Sequence, residues 1–390
     1  MLRLLFVIPS LACGGAERHA VTLMCRLAQR GHECHAASIK NLDPSQSAEL
    51  RVRLGDRVQC LDAARYLDPR ALGSLVDQVK RLQPDAIVAA NPYALMYASL
   101  GRRFARLNAQ LVVTYHSTRI LGAKEQLKML FYRPFFWTAD CLIFVSNKQK
   151  QYSQRRGVFA CRNQVIHNGV DTERFRNHFS CLQRCEVRSA FGFSEQDYLI
   201  GIAAWLRPEK NHLQLVDAVA ALRKRGIAAC VLMIGEGEMR AAIETRARTL
   251  GVRHAVAITG FQPEVRPYVA ACDVMTLCSL SEAFSLAAIE AMALAKPVVH
   301  TDVGGAAEMI FPGENGFLFP VGDTPAFVHR LALLADRNVA EAMGQRARAI
   351  VQAQFSEEAM VDRYERTLVG LCRQRSGVGD SGGVPDTACR

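Results

Sequence analysis

The chain has 390 residues, half of them hydrophobic and 22% charged, which is too long for one ordinary core, fits two domains, and excludes a disordered or fibrous protein. Its formal charge of +11 is uneven, with 28 Lys and Arg against 15 Asp and Glu in residues 1–195 and 20 against 22 in residues 196–390. The positive field therefore belongs to the first half, where it suits an anionic lipid surface, a phosphorylated acceptor or nucleic acid.

Met1 to Pro9 opens on a short apolar run with no small-residue cleavage site after it, and reads as a buried first strand rather than a signal peptide. No stretch approaches the roughly 18 apolar residues of a membrane span, so the chain is expected not to be integral to a membrane. Leu4 to Pro9, Glu33 to Ile39, Asp85 to Ala90, Gln110 to His116 and Cys141 to Ser146 read as strands. Helices fall between them, among them Ala16 to Arg30, stopped by Gly31, and Pro69 to Leu82, with proline in its first turn. The second half repeats the scheme with strand-like runs at Tyr198 to Ala204, Ala228 to Ile234, Val256 to Thr259, Val274 to Leu277 and Val298 to Thr301. Repeated βα order predicts two doubly wound parallel-sheet domains, over residues 1–172 and 173–355. The stretch from about 172 to 196 lacks a clear period and reads as linker plus first helix. A helix over 356–372, opened by Ser356, follows, then a flexible tail over 373–390.

The thirteen cysteines are scattered, none forms a Cys-x-x-Cys pair, and the closest deliberate-looking spacing is Cys181 to Cys185. They read as core-filling thiols such as Cys25 and Cys141 in a reduced, cytoplasmic setting, with no structural zinc expected.

Glu282 and Glu290 stand out chemically. Glu290 is the sole charge between Glu282 and Lys296, and its helical neighbours Leu286, Ala287, Ala293 and Leu294 offer no cation. A helix beginning near Phe284 would turn open N–H groups toward the carboxyl edge of the sheet, where phosphates bind, with Glu290 about two turns inside. The bland alternative is a helix whose Glu290 faces solvent. Arg207 and Lys210 follow a strand directly and could neutralise a diphosphate, or be a solvated loop. Gly14 and Gly15 follow the first strand without the Gly-x-Gly-x-x-Gly spacing of a dinucleotide site, and read either as a tight turn or as a surface open to a sugar or phosphate. His116 ends a strand at the carboxyl edge, as a ligand contact or as a histidine satisfied by backbone. Asn168 to Asp171 form a turn. The chain has no Asp-x-Asp pair, so a divalent-metal clamp on a diphosphate has no evident ligands.

These residues, in this order, resemble family 4 of the retaining GT-B glycosyltransferases, which includes many bacterial polysaccharide and lipid glycosylation enzymes. The resemblance spans nearly the whole chain: Gly14-Gly15-Ala16-Glu17, His116-Ser117, Val145-Ser146-Asn147, Ile166 to Asp171, Lys210-Asn211, Glu282 to Glu290, Gly304-Gly305 with Glu308, and Glu314 to Leu318. It implies two Rossmann-like domains facing a central cleft, and transfer of a sugar from a nucleotide-sugar, UDP-sugar first and GDP-mannose second, to a saccharide or lipid-linked saccharide. The resemblance places Glu282 against the donor sugar and Glu290 on the nucleotide ribose. Lys210 and the N–H groups of Phe284, Ser285 and Leu286 go to the diphosphate, His116 to the sugar, and Gly14 and Gly15 to the acceptor side. Such enzymes use front-face attack with retention and need neither metal nor other cofactor. Five residues before Lys210, where the family most often places an Arg, this chain has Trp205, and Arg207 is the expected substitute.

The basic first domain would face the acceptor. Its segment Lys124 to Trp137 mixes cations with bulky apolar residues, as an interfacial helix would, and suggests peripheral attachment to the inner face of a bacterial membrane; core packing is the alternative. Two other functions compete. A nucleotide-sugar 2-epimerase of the same architecture would convert donor without acceptor, and a nucleic-acid-binding or scaffold protein would bind no nucleotide-sugar and show steep salt dependence on RNA or DNA.

Overall fold

A computed structural model describes residues 1–11, 15–40, 52–116 and 123–375. By its internal contacts the chain forms two compact units, Met1–Asn168 with Met360–Arg390, and Gly169–Ala359.

The first unit carries β1 (Arg3–Ser10), β2 (Glu33–Lys40), β3 (Val58–Cys60), β4 (Ala86–Ala90), β5 (Gln110–Tyr115), β6 (Cys141–Phe144) and β7 (Arg162–Val165). They form one sheet in the order β3-β2-β1-β4-β5-β6-β7, parallel at every pairing. All five residues of β4 are buried, as a parallel sheet covered on both faces requires. The alternation of a strand divides β1 between two cores. Leu5 and Val7 join Leu75, Val79, Tyr97 and Phe136 on one face. Leu4 and Phe6 join Leu23, Met24, Tyr364 and Leu368 on the other. The last helix, Glu357–Arg375, thus supplies part of this core. Ser356 Oγ accepts from the N–H of Ala359 at its start, and the helix runs through Arg375, beyond the expected end at 372; residues 376–390 of the expected tail lie outside the described residues.

The second unit carries β8 (Tyr198–Ala203), β9 (Ala229–Ile234), β10 (Val256–Ile258), β11 (Val274–Leu277), β12 (Val298–Thr301) and β13 (Gly316–Phe319), in the order β10-β9-β8-β11-β12-β13, again parallel throughout. Strand order reverses between β1 and β4 in one unit and between β8 and β11 in the other. In open α/β sheets the crevice outside the carboxyl ends of such strands is where ligands bind.

The unperiodic stretch before β8 holds the helix Cys181–Ala190, started by a capping box in which Ser180 and Gln183 satisfy each other's backbone N–H groups. No helix among the described residues is long and apolar enough to cross a membrane.

Candidate functional site

In the second unit the loop leaving β8 is shaped by two glycines that the sequence reading passed over. Gly235 and Gly237 have φ of +153° and +156°, and a Cβ on them would lie 2.1 Å from Ala204 O and 2.5 Å from Leu206 O. Their absent side chains let Leu206 donate to Glu236 O (2.9 Å) and Met239 donate to Leu206 O (3.0 Å). After Arg207 the chain makes one tight turn, Pro208–Lys210, and reverses at Asn211 with φ of 53° to enter the helix His212–Lys224. Within that turn Glu209 O accepts from the N–H of Leu280, which joins the β8 loop to the loop leaving β11.

That junction brings Lys210 Nζ to 2.5 Å from Glu282 Oε1, and the same oxygen accepts from Ser279 Oγ at 2.9 Å. The two side chains are 24% and 13% exposed, so the pair is shielded yet reachable. Glu282 is fixed from behind by Gly304, whose φ is +53°: a Cβ there would sit 1.9 Å from Glu282 O, and the neighbouring Gly305 N–H donates to Ala283 O at 2.8 Å.

The helix that follows is Leu286–Ala293, so it begins two residues later than expected. Ser285 is its N-cap and accepts from Ala288 N–H. Phe284 precedes the cap, buried against Phe355 with ring centroids 5.5 Å apart. Among the described residues, the first-turn N–H groups of Leu286 and Ala287 have no acceptor within their own helix. Glu290 is the fifth helical residue, about 6 Å along the axis from the first, and is half-buried among Ile289, Ala291, Met292 and Ala293, all buried. It therefore lies just over one turn in, where two had been expected, because the cap competes successfully for Ser285.

Arg207 does not join this pair. It is exposed, with its guanidinium 5.9 Å from the Trp205 ring, and Trp205 stacks on Phe261 at 6.0 Å and 24°. Of the two cations in the turn, only Lys210 reaches Glu282.

Two histidines behind the site escaped the sequence reading. His300 on β12 is fully buried, its Nδ1 is 2.7 Å from Thr301 O, and its Nε2 has no partner among the described residues. Burial lowers its pKa, against the pull of Glu282. His212, 2% exposed, has no partner on either ring nitrogen among the described residues; burial, then the Lys210 charge, pushes it down to about 4. The signal for His300 was present, as a titratable residue directly after Val298-Val299 in a parallel strand.

In the first unit Gly15 opens the helix Gly15–Gln29, while Gly14, Ser117 and Thr118 lie outside the described residues. His116 stands at the end of β5. Its N–H donates to Oδ1 of Asn91, a left-handed residue (φ 68°) at the end of β4, so His116 adjoins the β1/β4 reversal. Its ring lies 4.5 Å from that of buried His19, its Nε2 has no partner among the described residues, and burial pushes its pKa to about 4, which leaves a neutral imidazole at neutral pH. The turn after Asn168 is structural: a Cβ on Gly169 would sit 2.6 Å from Ser356 O, and Val170 exchanges backbone hydrogen bonds with Phe355 and Glu357.

Comparison with known proteins gives two family models. "Glycosyltransferase Family 4" matches residues 13–174, and "Glycosyl transferases group 1" matches residues 183–350. The chain is 31% identical over 314 residues to EpsD of Bacillus subtilis, a protein named as a glycosyltransferase, covering 76% of this chain and 81% of that one. It is 23% identical to the UDP-Gal:alpha-D-GlcNAc-diphosphoundecaprenol alpha-1,3-galactosyltransferase of Escherichia coli, covering 85% and 89%. Among solved structures, Anabaena HepE in complex with UDP-glucose superposes with a TM-score of 0.83 at 22% identity, over 95% of this chain and all of that one.

Proposed function

Because the chain belongs to family 4 of the GT-B glycosyltransferases, we propose that it transfers a sugar, with retention of configuration, from a UDP-sugar to a saccharide or lipid-linked saccharide acceptor of cell-surface polysaccharide synthesis. The observation that carries this reading is the Lys210–Glu282 pair at the β8/β11 reversal, beside the first-turn amides of Leu286 and Ala287. A cation and two N–H groups meet the charge that a departing diphosphate develops. Glu282, held by Lys210 and Ser279, is placed to stabilise positive charge on the sugar ring. No group of this site is assigned to carry off the acceptor proton; the departing diphosphate oxygen takes it as the new bond forms on the same face. Glu290 holds the ribose, and His116, neutral, contacts the sugar. Arg207, engaged over Trp205, contributes long-range charge.

UDP as the donor nucleotide is supported by the HepE neighbour in complex with UDP-glucose and by the UDP-Gal in the name of the Escherichia coli relative, and GDP-mannose stands second. That relative's diphosphoundecaprenol substrate supports a lipid-linked acceptor. In this reading the diphosphate is neutralised by Lys210 and backbone amides, without a divalent metal or other cofactor. Thermal-shift screening against UDP, GDP and their sugars tests the donor: stabilisation by UDP-sugars is expected, and stabilisation by none of them refutes the reading. The anomeric configuration of the product tests retention, and consumption of donor without acceptor to give its 2-epimer would identify an epimerase instead.

The setting of the reaction is proposed to be the inner face of the membrane. The helix Ala123–Trp137 buries Met129, Tyr132 and Phe136, yet leaves Leu127, Leu130, Phe131 and Trp137 between 52% and 70% exposed. Exposed Lys128, Arg155 and Arg156 accompany them. Apolar residues rimmed by cations suit an anionic lipid surface. Flotation with anionic liposomes at low salt tests this, with co-flotation expected and its absence contradicting it.

A further inference from the structure

Most of the described thiols are isolated from one another. Cys34, Cys141, Cys230, Cys272 and Cys278 are buried, as core-filling residues are, and Cys25 is partly buried with its thiol directed at Arg53 O. Cys181 and Cys185 are different. They lie four apart on the helix Cys181–Ala190, hence on one face, and are respectively exposed and half-buried. Their Sγ atoms are 4.0 Å apart, and both approach the same oxygen of Glu195: Cys181 Sγ is 3.9 Å from Oε1 and Cys185 Sγ donates to it.

We propose that Cys181, Cys185 and Glu195 bind one thiophilic divalent cation of the zinc class. The proximity of the three donors favours a metal. Around a tetrahedral ion with metal–sulfur bonds of about 2.3 Å and metal–oxygen bonds of about 2.1 Å, ligand atoms stand about 3.6 to 3.8 Å apart; the observed 4.0 and 3.9 Å need slight closure, while Cys185 Sγ and Glu195 Oε1, now in hydrogen-bond contact, must part as the ion replaces the thiol proton between them. The three ligand atoms also form the one group among the described residues with the number and proximity of donors to hold an ion.

The ligands are held in advance. The capping box fixes the turn that carries Cys181. Arg188, buried on the same helix, binds Ser194 O (3.2 Å) and Asp197 O (3.0 Å) and so clamps the loop that bears Glu195; its other nitrogens reach Ala271 O and Asp273 Oδ1. Beside the three ligands opens a cavity of about 370 Å³, also lined by Arg184, Arg337 and Glu341, with room for water as a fourth ligand. On binding, both thiols lose their protons to solvent and the thiolates donate to the ion; no electron is transferred. Because Glu195 precedes β8 while Lys210 follows it, this site lies at the opposite end of a six-residue strand, about 20 Å long, from the proposed donor site. It uses none of the transfer residues.

Cobalt reports the site. Titrating the full chain with Co²⁺ under a phosphine reductant is expected to produce a thiolate-to-metal band and tetrahedral visible bands that saturate at one equivalent and are displaced by Zn²⁺. Cys181→Ser with Cys185→Ser should abolish the bands, and Glu195→Gln should keep them while weakening affinity about tenfold or more. A second measurement needs no variant: Zn²⁺ should slow alkylation of Cys181 and Cys185 at least tenfold, read by peptide mass spectrometry, and leave exposed Cys161 unchanged. Absence of the thiolate band, its persistence in the double variant, or equal alkylation with and without Zn²⁺ would each overturn the proposal.

Discussion

Replacing Gly304 by alanine would move Glu282 without touching any side chain of the proposed site. The new Cβ would stand 1.9 Å from Glu282 O, 2.7 Å from its carbonyl carbon and 2.9 Å from Ala283 O. These are backbone atoms, so no rotamer change relieves the clash. Restoring an ordinary contact of about 3.4 Å pushes the Glu282–Ala283 segment back by about 1.5 Å, and a shift of about 1 Å at a reacting group costs on the order of 100-fold in rate. The expected loss in kcat/KM is therefore about 100-fold, equivalent to about 2.7 kcal/mol of transition-state stabilisation. The left-handed φ of +53° adds strain on the order of 1 to 3 kcal/mol and lowers Tm by several degrees. Gly313 provides the control, since its φ of +82° imposes similar strain while a Cβ on it meets nothing within 4 Å. Gly313→Ala should lose Tm but keep its rate. Release of UDP from UDP-sugar, measured by a coupled assay, reads both variants. If Gly304→Ala retains kcat/KM within about threefold of the parent while remaining folded, the role given to the Glu282 backbone is wrong.

Other expectations follow from the same geometry. Burial holds His116 and His212 at about 4, below the ordinary 6.5. Between pH 6.5 and 4 the unfolded chain therefore binds more protons than the folded one, and stability falls as pH falls through that window, by up to about 3 kcal/mol per ring. Urea unfolding across that range should show the loss, and His212→Leu should reduce it; an unchanged slope in the variant would exclude His212 as a source. Excess EDTA should leave transfer within about twofold of its original rate, and abolition restored by Mg²⁺ would contradict diphosphate neutralisation by Lys210 and amides. Glu290→Ala should weaken UDP binding about tenfold or more through loss of a charge-assisted ribose contact; unaltered binding in a thermal-shift titration would remove the ribose assignment.

Much of this architecture was legible because parallel strands are written as continuous apolar runs. Each of the runs read as a strand, from Leu4 to Pro9 through Val298 to Thr301, falls on a strand of one of the two sheets. Among the edge strands, Val256–Ile258 was read as a strand, and those of the first sheet were not. Val58–Cys60 is three residues long, and Arg162–Val165 is partly exposed and polar, so neither carries a pattern that distinguishes it from a loop. The helix Cys181–Ala190 was readable in principle from the Ser180 and Gln183 spacing, but its exposed face masks any apolar period. In the site, the sequence supplied Glu282 and Lys210 as candidates on opposite sides of the second unit's sequence, and the β8/β11 reversal explains why they meet. It did not separate Lys210 from Arg207, because which of two neighbouring cations turns inward depends on the Pro208–Lys210 turn and on the aromatic surface that holds Arg207. Nor did it locate Gly235, Gly237 and Gly304 as supports, since their φ values and close backbone neighbours exist only in three dimensions.

Calorimetric titration of UDP into the parent chain, Lys210→Ala and Arg207→Ala measures the main assertion with no acceptor needed. Loss of the inward cation should raise the Kd at least about tenfold, as removal of a charge-assisted phosphate contact does, whereas loss of the cation stacked on Trp205 should change it less than about threefold. Equal affinity in the parent and Lys210→Ala would show that the nucleotide diphosphate is held somewhere other than the β8/β11 reversal.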